Sequence, residues 1–336
     1  MNQDVAVNSP VTKDNPRDYL MDNLRAIFII LVVWGHILTS MKDQYDNLRS
    51  IYIFIFFFHM PAMAFVSGYF SKNLEKIRSN AFVTVFLPYL FLNTIEYAFK
   101  VLILHEDLSY QVLNPFWGLW YLLALFLWKF FLKDIVKIRF ILPLSFVIAV
   151  LSGFSGEFSD DLALGRTLCF LPFFLLGYYC TQEHITRIRK LPKLLGIVII
   201  AAVAVLSTYA AYTRLFKLET LYLRGPYPEE AQLESMLYRI LVYVVACAMI
   251  FAVTSLFTGK KTILSYIGTS TMTVYIFHLF TIPLLEKLRL FENQPYVYLI
   301  YSILMTALIT FVYTLPVVKK AYDTIMDKLT GLIYSK

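Results

Sequence analysis

The sequence predicts an all-α membrane protein, a polytopic bundle of about ten transmembrane helices with both termini cytoplasmic. Three observations carry that prediction. The 336-residue chain is 59% hydrophobic and only 16% charged, with a mean hydropathy of +0.64, whereas a soluble domain is about 25% charged and ~45–50% apolar. The excess falls in recurring apolar stretches close to the ~20 residues that cross a bilayer. Lysine and arginine concentrate in alternate loops, as the positive-inside rule requires.

The spans are placed at 21–40, 51–70, 82–104, 115–132, 139–153, 166–182, 193–213, 236–257, 264–285 and 295–317. The fifth is short, and the ninth opens on the polar run SYIGTSTMT, which suggests an interfacial first turn. This divides the chain into a polar cytoplasmic tail (1–20), a transmembrane unit (21–317) and a cytoplasmic C-terminal tail (318–336). The polar tail leads into a full-length span without a small-residue cleavage site, so no removable signal peptide is expected.

The even-numbered loops carry the cations. Lys72, Lys76 and Arg78 lie in the second, Lys129 to Arg139 at the fourth, Arg187 to Lys193 in the sixth, and Lys260 and Lys261 in the eighth. The third and fifth loops, around Glu106-Asp107 and Glu157 to Asp161, hold neither Lys nor Arg. The formal charge of +7 is therefore a topology signal, and no nucleic-acid partner is implied. The seventh loop, Arg214 to Ser235, contains RGPYP and reads as a turn-rich cover on the outer face. Cys169, Cys180 and Cys247 fall in apolar segments with neither disulfide nor metal spacing. The absence of a Walker loop, GxSxG and HExxH argues against nucleotide hydrolysis, a serine-elbow hydrolase and zinc chemistry. Nothing in the sequence sets an oligomeric state.

Ionisable residues inside spans are costly and mark function by default. Arg25 opens DNLRAIFIILVVWGHIL near the inner end of the first span. His36 follows eleven residues later, roughly 16 Å further up at ~1.5 Å per residue, near the midplane. His59 on the descending second span and His278 on the ninth reach similar depths by the same arithmetic. Three histidines are thus expected in one layer. Each also has a plainer reading as an interhelical hydrogen-bonding residue, and Arg25 as a snorkelling anchor. Asp22, three residues before Arg25, can pair with it. Glu96 on the third span needs a partner or a proton, and is a candidate to orient a histidine or meet an external hydroxyl. Arg166 opens the sixth span and can anchor to Asp160 or Asp161. Trp117, Trp120 and Tyr121 fit an aromatic belt, and aromatic faces also stack on sugar rings.

These residues resemble a known family. Arg25-x10-His36 followed by FFFHMPAMAFVSGYF is similar to the signature of the acyltransferase-3 family of bacterial integral-membrane acyltransferases. The likeness continues through FWGLWYLLALFLWK, GRTLCFLPFFLLGYY and SYIGTSTMTVYIFHLF, and its FHMP and FLPFFLLGYY forms are nearest the fucose 4-O-acetylase-like branch. The resemblance implies O-acyl transfer, usually acetyl, from cytoplasmic acyl-CoA to a hydroxyl of a cell-surface glycan or its precursor. The enzyme would be multi-pass in the bacterial plasma membrane. It implies no tightly bound cofactor, since acetyl-CoA enters as a substrate. Carried over by position, Arg25 and His36 are the catalytic pair. His59, Ser67 and Gly68 match the second-span block, and Arg166 and His278 match further positions. The chain ends soon after the tenth span, so transfer is expected to be completed by the membrane unit. The competing reading is an exporter of polysaccharide or lipid-linked sugar, with the same buried residues lining a path.

Overall fold

A computed structural model describes residues 17–156 and 163–333. The expected acidic loop at Glu157 to Asp161, most of the N-terminal tail and Lys336 lie outside the described residues. Those described contain helices and no strand. Each predicted span is helical. Six runs are long and apolar enough to cross a membrane, namely Tyr19–Leu38, Asp46–Tyr69, Leu74–Leu104, Lys193–Thr213, Glu229–Leu256 and Pro295–Thr314. Shorter apolar helices at Ile141–Phe154 and Leu164–Tyr179 join them, together with helices of 16 and 17 residues at Trp120–Ile135 and Thr271–Lys287.

The helices are α1 (Tyr19–Leu38), α2 (Asp46–Phe56), α3 (His59–Tyr69), α4 (Leu74–Ala81), α5 (Leu87–Phe99), α6 (Trp120–Ile135), α7 (Ile141–Leu151) and α8 (Leu164–Tyr179). They continue as α9 (Gln182–Lys190), α10 (Lys193–Thr213), α11 (Gln232–Leu256), α12 (Ile263–Gly268), α13 (Thr271–Lys287), α14 (Pro295–Thr314) and α15 (Pro316–Ile333). Asp18 starts α1 by accepting from the Met21 amide, which satisfies one of the orphan donors of a helix N-terminus. α1 then runs through the centre, packed against α2, α3, α12, α13 and α14. α10 and α14 are peripheral. Leu194, Val205, Ile300, Leu304 and Phe311 point outward from them, the apolar surface expected of lipid-facing helices.

Two predicted spans are broken, each for a local reason. Pro61 has no amide hydrogen to give the Phe57 carbonyl four residues back, and its ring crowds that carbonyl. The second span accordingly stops at Phe56 and restarts at His59. The ninth breaks at Thr269–Ser270, inside its polar run. α12 opens on a Thr262–Ser265 capping box and ends at Gly268, where a Cβ would overlap the Asp22 carbonyl of α1. The stretch expected as a cytoplasmic C-terminal tail is, as far as Ile333, part of the helix α15, which starts at Pro316, a residue well suited to a first turn.

The loops sort onto two faces as their charges predict. The N-terminal segment and the second, sixth and eighth loops meet around one cleft, lined by Arg17, Lys72, Arg189 and Gly259. We call this face inner. On the other, the first and seventh loops join through Arg214–Asp46 at 2.6 Å. There too the Tyr45 hydroxyl donates to the Glu292 carbonyl of the ninth loop at 2.9 Å.

Candidate active site

α3 and α8 cross in backbone contact. Gly68 faces the Phe174 carbonyl and Gly177 faces the Phe65 carbonyl, and a Cβ at either position would overlap backbone. Gly68, singled out from sequence as a site residue, thus serves helix packing. It is not on the wall of the cavity that the neighbouring residues enclose.

That cavity, of about 170 Å³, lies toward the outer side of α1 and is lined by residues from α1, α2, α3, α6, α8, α13 and the seventh loop. His36, His59, Trp120 and Arg166 are on its wall, together with Trp117, Tyr52, Phe56 and Tyr275. His278 stands directly behind His36. The two rings are 5.1 Å apart between centroids, and His36 Nδ1 is 3.0 Å from His278 Nε2. Proton positions follow from the partners. His278 Nδ1 lies 3.1 Å from the Val274 carbonyl, which can only accept, so Nδ1 carries the hydrogen and donates. Neutral His278 is then an acceptor at Nε2, and His36 donates to it from Nδ1. This leaves the lone pair of His36 on Nε2. The Trp117 ring covers the imidazole at 4.4 Å between centroids, and His36 is half-buried, with its ring on the cavity wall.

The remaining candidates take up different places. Arg166 lays its guanidinium 5.1 Å from the centre of the Trp120 ring. Its expected partners Asp160 and Asp161 lie outside the described residues. Tyr121 meets its neighbour Trp120 edge-on, 5.8 Å between ring centroids, and hydrogen-bonds the Ser67 hydroxyl at 2.8 Å. Its ring is 6.1 Å from that of Tyr275, and Tyr275 is 5.9 Å from His278. A file of polar side chains thus runs through the bundle from Ser67 to His36. Arg25 is not on the outer cavity. It stands in the inner half, 4.5 Å from the Phe70 ring. Phe70 lines the inner cleft, a space of about 790 Å³. The expected Asp22–Arg25 pair is long, at 3.9 Å. Asp22 instead accepts from Arg17 at 2.6 Å.

Glu96 is buried but is not on the cavity wall, and its Oε2 has no hydrogen-bond partner. The structure does not bring it to His36. Its neighbour Asn93, buried beside it, accepts from the Phe116 amide at 3.1 Å and donates to the Gln111 carbonyl at 3.3 Å. Asn93 thereby fixes the segment that delivers Trp117. Lys72 of the second loop is engaged within the fold. Its ammonium donates to the carbonyls of Gly177, Tyr178 and Cys180, closing the C-terminus of α8 where carbonyls are otherwise unpaired. Arg78 is likewise engaged, with Asp134 at 2.8 Å.

The sequence marks the seventh loop as an outer cover but not which of its residues form the roof. Leu221, Tyr222 and Arg224 of the seventh loop line the cavity, and Tyr222 meets Tyr52 hydroxyl to hydroxyl at 2.8 Å. The loop is pinned by Arg239, a buried residue of α11. Arg239 donates to the Gly225 carbonyl at 3.1 Å and the Ala149 carbonyl at 3.2 Å, and covers the Tyr227 ring at 4.4 Å. An arginine at the apolar start of a span was the available signal. Tyr275 could have been found three residues before His278, on the same helix face.

Comparison with known proteins adds a family. The acyltransferase 3 family, described as an acyltransferase domain, matches residues 18–326. Two curated proteins are similar over shorter stretches. The nodulation protein NolL of Sinorhizobium fredii is 29% identical over 187 residues, half of each chain. NolL of Mesorhizobium japonicum is 28% identical over 124 residues, covering 32% of this chain and 33% of that one. The chain therefore spans between a third and a half of the length of these relatives. No solved structure matches.

Proposed function

From the premise that this chain belongs to the acyltransferase 3 family, we propose that it is a bacterial cell-membrane O-acyltransferase. On this reading it moves an acyl group, acetyl by preference, from cytoplasmic acyl-CoA to a hydroxyl of a cell-surface glycan or its precursor. The observation that carries the reading is the His36 Nε2 lone pair, fixed by His278 and held at a cavity with an aromatic wall and an outer-loop roof.

His36 Nε2 takes the proton of an acceptor hydroxyl as that oxygen attacks the thioester carbonyl. The carbon–sulfur bond breaks, and the thiolate leaves with the proton held by His36. The same nitrogen can instead accept the acyl group transiently and pass it to the hydroxyl, with the proton balance unchanged. His278 holds the ring in the productive tautomer in either route. The inner cleft, with Arg17 and Arg189 on its rim, suits the phosphates of a CoA donor. Arg25 and the Ser67–Tyr121 pair stand between that cleft and His36, along the way a pantetheine arm would take. Trp117, Trp120, Tyr52 and Tyr222 offer ring faces for a sugar.

The test is acetyl-CoA turnover by purified protein. Wild type should release CoA and acylate an added glycan, while His36→Ala should insert and express normally yet lose transfer. Undiminished transfer by His36→Ala, or glycan movement without acetyl-CoA consumption, would overturn the proposal.

A further inference from the structure

His59 lines the same cavity as His36 but is not part of the His36–His278 pair. Its side chain is 1% exposed. Its Nδ1 lies 2.8 Å from the Ile55 carbonyl, one turn back across the Pro61 break. A carbonyl only accepts, so Nδ1–H is the donor, and in the neutral ring Nε2 is left as a bare acceptor. That Nε2 is buried and has no hydrogen-bond partner. Of the buried polar side-chain atoms without a partner among the described residues, it alone belongs to a residue lining the His36 cavity. Buried polar groups are nearly always satisfied, and an exception calls for a missing partner. The partner must be a donor. The Phe56 ring lies between the two sites, 4.6 Å from the His59 ring and 6.4 Å from the His36 ring.

We propose that His59 Nε2 is a specificity-determining acceptor, which takes a hydrogen bond from a second, non-reacting hydroxyl of the acceptor while His36 acts on the first. The site thus selects a polyol over a lone alcohol. This rests on the acyl-transfer reading given above. A donor hydrogen could also come from an amide of the pantetheine arm. The sugar hydroxyl is favoured because the wall around His59 is aromatic and its roof comes from the outer loop, with Tyr52 and Tyr222 joined above it. A site built to pair with a hydroxyl rejects an analogue lacking it far more strongly than an apolar pocket does, because its own acceptor is then left bare.

The experiment uses the full chain in detergent, radiolabelled acetyl-CoA, and a panel of methyl pyranosides with their monodeoxy analogues. Wild type should acylate at least one parent glycoside and lose about tenfold or more in kcat/KM on removal of one hydroxyl that is not the acylated one. His59→Phe should bring that parent-to-deoxy ratio close to one. His59→Gln, which keeps an acceptor oxygen, should restore part of it. The ratio is internal to each preparation, so a lower yield of folded variant does not alter it. An unchanged ratio in His59→Phe overturns the proposal and leaves the enzyme reading intact. A raised KM for acetyl-CoA with an unchanged ratio also overturns it, and assigns His59 to the donor. If wild type acylates no pyranoside, the enzyme reading fails and takes this inference with it.

Discussion

Replacing His278 by phenylalanine removes the acceptor that fixes the His36 proton while filling most of the same space. His278 is completely buried, so a smaller residue would add a cavity cost that has nothing to do with chemistry. Two effects follow from losing the 3.0 Å contact. The hydrogen bond itself contributes about 1 kcal/mol net to ring placement. Without it, His36 is also free to carry its hydrogen on Nε2, the nitrogen that must be bare. The two together amount to roughly 1.5–3 kcal/mol in the transition state, a fall in kcat of about 10- to 100-fold. KM for acetyl-CoA should stay near its wild-type value, since His278 does not line the inner cleft. His278→Gln, whose amide oxygen can accept from His36 Nδ1, should recover a good part of the rate. Steady-state kinetics on monodisperse protein decide the matter. A kcat for His278→Phe within twofold of wild type would refute the relay.

Other consequences concern the scaffold. Gly177→Ala drives a methyl group into the Phe65 carbonyl, and backbone cannot rotate away. It should lower stability by about 1–3 kcal/mol, measured as an earlier thermal unfolding midpoint in detergent; an unchanged midpoint would remove the claim of tight crossing. Arg239→Met leaves the Gly225 and Ala149 carbonyls short of a donor, at a cost of ~1–3 kcal/mol. Limited proteolysis should then cut within 214–228 faster than in wild type, with a higher acceptor KM, and an unaltered cleavage rate would show that the loop is held otherwise.

Much of the fold was legible because apolar length and loop charge are strong, local signals. Every predicted span is helical, and the even loops that could be placed share a face. The layer of three histidines was also readable, since helical rise converts spacing into depth. His36 and His278 do meet, and His59 shares the cavity wall. What could not be read depends on rotation about each helix axis and on long loops. Glu96 has a plausible depth but the wrong azimuth, and its neighbour Asn93 positions Trp117 instead. Lys72 looked like part of a basic surface, yet its ammonium is spent on the end of α8, a contact made across more than a hundred residues. Tyr222 and Arg224 roof the cavity from a segment that the sequence marks as a turn-rich outer cover without showing which of its side chains reach inward. The split between Arg25 and His36 was implicit in their eleven-residue spacing, which leaves them too far apart to touch one small group together.

The crossing of Gly68 and Gly177 has a mechanical side. α3 carries His59 and α8 carries Arg166, and two rods locked glycine to carbonyl translate as a single beam. That side of the chamber is therefore expected to yield little to a bulky guest. The facing wall is the strap of residues around Tyr222, which buries Leu218, Leu221 and Leu223 in the core and is tied down by Arg239 and by the Tyr227 amide on the Gly153 carbonyl. Substitutions in that strap are therefore the ones expected to change access from outside without altering the reacting atoms.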